Sequence, residues 1–484
     1  MMLALFYTRP LFEHALSRES PLALRGIFMN NVYRIDDCQV RFFYIKNIDA
    51  RGSLEYWSGS AWVAVANRPL PLALPPEEGC IMRPHLGIVG LSAGDEEDVL
   101  WIRDASIGDA YDFPITDIRR PADSSSPLHT LGTCLQPLTL HADWTILVQY
   151  MEYWLHVGAS KIYVYQHSVT SHVQTVLDFY AEQIGDRLEI IPWSFLPVSA
   201  LDEGNFFADP NTRTITVANY MALNDCLYRA RNSVKFLSAL DLDEVFYVPV
   251  GKLPDSIFDA LDREDIGTFD LRWIYTEHFN ENEYATSMRE IKFNPLDNLL
   301  VPKEIVNGYR NFRKPIHKPE KVIMTDMHST ILNEMMAPED GGSNGRLERF
   351  REVAVNESSV AILHLRRFVR RGPRETRRLS HDNFEPLRST FKAMTRRLRD
   401  RIHNSTMAFH SFHGWRSVAD STMREMEACK LFPVNTGQRI GGGKCESLAN
   451  CIPTITNLRE FKMAPQTWKN VAVRSRTRKY FNAA

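Results

Sequence analysis

The stretch Val234-Lys-Phe-Leu-Ser-Ala-Leu-Asp-Leu-Asp-Glu-Val-Phe-Tyr-Val-Pro249 decides how this chain is read. Val234 to Leu240 is mostly apolar and tolerant of extended backbone, which suits a strand buried in a parallel or mixed sheet. Asp241 and Asp243 follow at its C-terminal end, the end at which open α/β sheets bind ligands. In extended backbone alternate side chains share a face, so both carboxylates are expected on one side. Two converging carboxylates make half of a hard-cation site, for magnesium or manganese with positions left open to phosphate oxygens. Asp-x-Asp also arises by chance in a long chain. Its neighbours therefore decide the matter.

Upstream of it, helical and extended patterns alternate. Trp144, Leu147, Val148, Met151, Trp154 and Leu155 recur at helical spacing, and Gly158 supplies a stop. Lys161 to Tyr165 reads as a strand, Ser168 to Ser171 as a loop, and Val173, Val176, Leu177 and Tyr180 as one face of a helix. Leu188 to Ile191 is the next strand, and a helix from about Thr216 to Arg231 leads into the opening stretch. This order predicts a doubly wound α/β sheet with the opening strand inside it.

The flanks differ in texture. Residues 1–29 form an N-terminal stub, and residues 30–121 alternate as in Val40 to Ile45 and Ala61 to Val65, between turn clusters, which predicts a small β-rich domain. Residues 122–130, with Ser124-Ser-Ser-Pro127, read as a linker, 131–415 as the main domain and 416–484 as a C-terminal extension. Gly441-Gly-Gly443 lacks the lysine and serine or threonine placement of a phosphate-binding loop and reads as a turn.

A chain of 484 residues with 44% hydrophobic and 24% charged residues has ample material for a large core. A net charge of -2 provides no global field for nucleic acid or anionic membrane. Seven cysteines without metal-binding spacing permit some disulfides, and the odd count leaves at least one thiol unpaired within the chain. Met1 to Tyr7 is apolar but Thr8-Arg9-Pro10 interrupts it, short of a signal segment and of the roughly 20 residues that span a bilayer. Asn356-Glu-Ser358 and Asn404-Ser-Thr406 fit the N-glycosylation acceptor.

Downstream, Lys314 to Met324 ends at Asp326-Met-His328, and Val360 to Arg367 sets His364 inside an apolar run. A lone histidine there is more often a core residue, although neutral imidazole is also a common metal ligand. Seven arginines fall between Arg366 and Arg378. They read as a solvated face, or else the first of them hold a diphosphate, whose oxygens a guanidinium matches bidentately. Aromatics interleaved at single-strand-binding density are missing, which argues against nucleic acid.

Several of these blocks together resemble family-92 glycosyltransferases, from about Cys134 to Arg367. They are Trp144 to Gly158, Leu223-Asn-Asp-Cys-Leu-Tyr-Arg229, Leu240-Asp-Leu-Asp-Glu-Val245, Lys314 to Val322, Met327-His328 and Leu363-His-Leu-Arg366. The resemblance implies a GT-A fold, that is a Rossmann-like mixed sheet, with UDP-galactose as donor, a glycan as acceptor and Mn2+ (or Mg2+) as cofactor. Carried over residue by residue, Asp241 and Asp243 look like the metal and donor-diphosphate site. His364 resembles the late histidine that ligates the metal, with His328 as its competitor, while Lys314, Ser168 and Arg366 fall where the donor is held. Lys318 takes the other basic position of its block, where both lysines equally fit a solvated edge. Relatives also carry an N-terminal anchor and work in the Golgi lumen, and this chain displays no span. One departure is plain: Gln166-His167-Ser168 stands where relatives usually read Asp-Asn-Ser, which puts uridine binding, and even activity, in question.

The implied chemistry is displacement at the anomeric carbon with inversion, for which one carboxylate removes the acceptor proton opposite the leaving group. Glu277 and Glu281, in the polar loop after the strand from Gly267 to Ile274, are the candidates, with Asp326 third. A glycan- or protein-binding relative without activity, and an unrelated nucleotidyltransferase using the same aspartates, are the other readings.

Overall fold

The computed structural model describes residues 27–471 except 48–52, 70–79, 92–97, 107, 121–126, 199–208, 249–253, 279–281, 294–299, 303–312, 337–347, 357–358, 368–375, 379–384, 408–410, 437–444 and 446. Glu281, the triple glycine and Arg370, Arg371 and Arg374 of the arginine run lie outside the described residues.

Strands β1 (Ile27–Asp36), β2 (Gln39–Asn47), β3 (Leu54–Trp57), β4 (Trp62–Ala64), β5 (Ala66–Pro69), β6 (Met82–Gly90), β7 (Val99–Asp104) and β8 (Ala110–Asp117) form one sheet, in the order β4-β3-β7-β8-β1-β2-β6-β5. Alternation is clearest in β7, where Leu100, Ile102 and Asp104 are buried and the residues between them are half-buried, as expected for one face on a core.

The chain then enters a mixed α/β body. Its parallel strands are β9 (His129–Leu138), β10 (Lys161–Gln166), β12 (Leu188–Pro192) and β13 (Val234–Ser238), laid side by side as β12-β10-β9-β13. A short β11 (Ser168–Thr170) follows β10. Helices α1 (Trp144–His156), α2 (Ser171–Ile184) and α3 (Asn219–Ala230) connect the parallel strands. Asp143 caps α1 by accepting from the Thr145 and Ile146 N–H groups. Every residue from Trp144 to Leu155 is buried, as in a helix covered on all sides. Glu152 on it is matched by Tyr180 Oη at 2.9 Å and Arg401 Nε at 3.0 Å.

The order β12-β10-β9-β13 reverses direction at β9: the chain moves outward through β10 and β12, then returns to the far side of β9 as β13. That is a topological switch point, where the strand ends leave a crevice. Beyond β13 come β14 (Glu244–Tyr247), α4 (Pro254–Leu261) and the long β15 (Ile266–His278). The sheet continues through β16 (Leu300–Pro302) and β17 (Arg313–His317), which pairs antiparallel with both β13 and β15. A separate hairpin, β18 (Val322–Thr325) and β19 (Thr330–Asn333), precedes β20 (Arg351–Ala354) and β21 (Ala361–Arg367). Strand β21 runs parallel to β15 and antiparallel to β14. β22 (Thr376–Arg378), α5 (Glu385–Asn404), α6 (Trp415–Thr436), β23 (Phe461–Met463) and β24 (Lys469–Asn470) complete the chain.

Strand β9 takes up the last two residues of the expected 122–130 linker and continues into the expected main domain. Gly132 and Pro137 interrupt its pattern, and the glycine has a reason. A Cβ on Gly132 would stand 2.9 Å from Val234 Cγ1, so glycine lets β9 and β13 approach. The two sheets share a core of Phe28, Tyr33, Phe43 and Leu86 against Tyr165, Trp193, Met221 and Leu227. The last segment returns to both: β24 pairs with β1, β23 with β11, and Cys80 is bonded to Cys445. Cys134–Cys226 and Cys429–Cys451 are the other disulfides, and Cys38 is free and exposed. No helix among the described residues is long and apolar enough to cross a membrane.

Candidate active site

Strand β13 stops at Ser238, before the aspartates. Asp241, Leu242 and Asp243 form a turn, closed by a 3.1 Å bond from the Glu244 N–H to the Asp241 carbonyl. Extended alternation therefore does not apply, and the two carboxylates take different neighbours. Asp241 accepts from Gln136 Nε2 at 2.9 Å and from Lys314 Nζ at 3.1 Å. Gln136 sits near the end of β9 and accepts in turn from Asn219 Nδ2 at 3.2 Å. The turn is thus joined across the switch point to the strand beside it.

Asp243 meets the other side. Its Oδ2 stands 3.1 Å from His364 Nε2 and 3.7 Å from the Arg366 guanidinium, and its carbonyl accepts from the Leu365 N–H at 2.6 Å. Strand β21 presents both side chains because its Leu363, Leu365 alternation is buried and turns His364 and Arg366 to the opposite face. The ring of Trp273 on β15 lies 4.8 Å from the His364 ring and that of Tyr275 lies 5.4 Å from it, edge-on.

Between the two stands Glu244, with a side chain 1% exposed. It accepts from Trp273 Nε1 at 2.6 Å, from the Asp241 N–H at 2.9 Å and from Lys314 Nζ at 3.0 Å. Burial alone would lower the Lys314 ammonium, but Asp241 and Glu244 outweigh it and raise its pKa. Burial pushes Asp243 up, yet the His364 hydrogen bond and the charges of His364 and Arg366 bring it below the usual carboxylate range. Burial and then Asp241 push Glu244 upward, with Lys314 opposing them. Glu244, Gln136 and Trp273 were not picked out from sequence. Glu244 follows Asp243 directly and was legible as a third acid, but Gln136 and Trp273 carry no local signal.

The remaining expected residues divide. Lys314 is buried against two carboxylates and is not a solvated edge. Lys318 is likewise buried, on Asp262 at 2.6 Å and away from Asp241. Ser168 is fully buried, and its hydroxyl accepts from the Leu140 N–H at 2.7 Å and meets His167 Nδ1 at 3.0 Å. That hydroxyl is committed to the protein and does not face a donor. His328 donates from Nδ1 to the Arg313 carbonyl, 3.1 Å away, and burial lowers its pKa. Asp243 is held by His364. Asp326 is buried and accepts from the His328 and Ser329 N–H groups, so it shapes a turn and is not poised as a base. The backbone of Glu277 pairs with Arg366 in the β15–β21 register. Gln166 bonds to Gln174 at 2.8 Å, and His167 is buried beside Phe195, its pKa lowered by burial to about 4.

Whether this set suits a cation can be tested on its geometry. Neighbouring ligands on an octahedral ion with bonds of about 2.1 Å stand about 3 Å apart, and Asp243 Oδ2 and His364 Nε2 are 3.1 Å apart. Asp241 is turned toward Gln136 and Lys314. Among the described residues no three histidine, cysteine or acidic side chains converge as a group that could hold a metal ion. Asp243 and His364 therefore supply at most two of a cation's ligands, and the rest would have to come from outside the protein.

The chain is similar to a family-92 glycosyltransferase protein of Caenorhabditis elegans, with 22% identity over 195 residues. That match covers 40% of this chain, and the chain spans 36% of the relative's length. Among solved structures, an amylomaltase from Corynebacterium glutamicum overlaps 32% of this chain and 22% of its own, at 10% identity and a TM-score of 0.14, too slight to bear on the fold. A family model described as Glycosyltransferase family 92 matches residues 129–407. That span opens at β9 and takes in the switch point, the aspartate turn and β21. It is more than half of the chain, and the protein belongs to glycosyltransferase family 92.

Proposed function

We propose that the protein is a metal-dependent, inverting glycosyltransferase of GT-A type that moves galactose from UDP-galactose to a glycan acceptor. The observation that carries this reading is the pair Asp241 and Asp243 in the turn at the switch point, faced by Lys314, His364 and Arg366. Asp243 and His364, with Asp241 beside them, would hold a divalent ion, manganese or magnesium, which would supply charge neutralisation for the departing diphosphate. The Arg366 side chain is 58% exposed, and takes a diphosphate oxygen on its open side. Glu277 or Glu281 removes the acceptor proton; the Glu277 position lies beside Arg366 on the neighbouring strand.

Three disulfides among the described residues support folding in an oxidising compartment, in line with work in the Golgi lumen. The test is UDP release from a panel of UDP-sugars with manganese. UDP-galactose is expected to give the largest signal, with loss in Asp243→Ala; equal silence across the panel would sink the reading. A second reading, an inactive relative that binds glycans, is favoured by one observation. No acid follows β10, where Gln166 is bonded to Gln174 and His167 is buried. Binding on a glycan array without any UDP release marks that outcome.

A further inference from the structure

Glu244 has a task apart from those of its aspartate neighbours. Its side chain is sealed from water, and both oxygens are occupied. Oε1 takes the Trp273 indole N–H at 2.6 Å, while Oε2 takes the Asp241 N–H at 2.9 Å and the Lys314 ammonium at 3.0 Å. Lys314, also sealed, lies almost equidistant from Glu244 and from Asp241 Oδ2, at 3.0 Å and 3.1 Å. The Asp241 side chain, by contrast, is 39% exposed. One buried cation is thus shared between an inner carboxylate that cannot reach a ligand and an outer one that can.

A carboxylate fully paired with an adjacent ammonium is a poor ligand for a divalent ion, because the ion must compete with a charge already in place. We propose that Glu244 is a positioning residue that tethers Lys314. By drawing off half of that ammonium's attraction, it keeps Asp241 available to the cation and the donor diphosphate. The same group fixes the backbone of the turn through the Asp241 N–H, and braces β15 through Trp273, whose ring lies against His364. This rests on the metal-dependent reading above and adds to it a residue that touches neither ion nor donor.

The tether makes a prediction that ordinary packing does not. Glu244→Gln keeps the side chain's size but leaves the whole Lys314 charge on Asp241, so Mn2+ binding weakens by roughly tenfold. Adding Lys314→Met removes the competing charge, so the double variant binds Mn2+ more tightly than Glu244→Gln alone, back to within about threefold of the parent. The readout is the electron paramagnetic resonance signal of free Mn2+ in titrations of the full chain with UDP present, with circular dichroism to verify folding. Unchanged binding in Glu244→Gln overturns the tether, as does weakening that Lys314→Met fails to relieve. If the parent binds no Mn2+, the metal-dependent reading fails together with it, whereas a binding parent with an indifferent Glu244→Gln removes the tether alone.

Discussion

Gln136 shows how much of the site depends on a side chain without chemistry of its own. It donates to Asp241 at 2.9 Å and accepts from Asn219 at 3.2 Å, linking the end of β9 to the aspartate turn and the start of α3. A hydrogen bond to a charged group contributes about 1.5–3 kcal/mol. When it serves to aim a reacting group, that corresponds to roughly a 10- to 100-fold change in rate. Gln136→Leu is therefore expected to lower UDP release by about that factor while leaving the melting temperature within a few degrees. A rate equal to the parent's would show that Asp241 is aimed by Lys314 alone. Nothing in the sequence marked Gln136: a glutamine before Pro137 reads as loop, and its meaning comes from β13 lying alongside. Asp241, Asp243 and His364 were legible because acids at a strand end and an imidazole in an apolar run are rare enough to notice. The expectation that both carboxylates share a face was not met, because β13 ends three residues before Asp241.

At the scale of elements, the contact of β9 with β13 sets the crevice. The periodicities of α1, β10, α2, β12 and α3 were readable, since each buries a continuous face. β9 was hidden because Gly132 and Pro137 interrupt its pattern, and a strand buried on both faces has no alternation to display. Gly132 is the point of closest approach, where an added methyl meets Val234 Cγ1 at 2.9 Å inside a packed sheet. Overpacking of this kind costs about 1–3 kcal/mol. Gly132→Ala is expected to lower stability by that amount in urea unfolding and to reduce UDP release by moving β9, and Gln136 with it, away from the turn. The suppressor Val234→Ala removes the methyl that is struck and is expected to restore both. A Gly132→Ala protein as stable and active as its parent would count against the close approach of these strands.

At the scale of the molecule, a buried carboxylate adds to the shared core and the returning C-terminal segment in joining the two sheets. Asp225 on α3 accepts from Asn31 Nδ2 at 2.7 Å and Tyr33 Oη at 2.5 Å on one oxygen, both residues from β1. Its other oxygen takes Tyr165 Oη at 2.5 Å from β10 and Arg229 Nε at 2.7 Å. Its chain neighbour Cys226 is bonded to Cys134 on β9, which fixes α3, and Asp225 with it, to the sheet of the α/β body. Burial pushes the Asp225 carboxyl up, but Arg229, then Tyr165 and Tyr33, outweigh burial and hold it below the usual range. Because the folded value lies below the unfolded one of about 3.9, the unfolded chain takes up the proton first as pH falls. The stability that Asp225 contributes is therefore present above about pH 4 and is lost as pH drops through the folded value. Asp225→Asn removes this contribution and leaves Arg229 with Glu189 as its remaining acid. At pH 7 the variant is expected to be less stable by about 3–5 kcal/mol, the usual result of breaking a buried pair. Below pH 4 the gap to the parent should narrow, because the parent loses what the variant already lacks. Urea unfolding from pH 7 down to pH 3 reads this directly, and a gap that stays constant with pH would mean that Asp225 joins the two sheets by shape and not by charge.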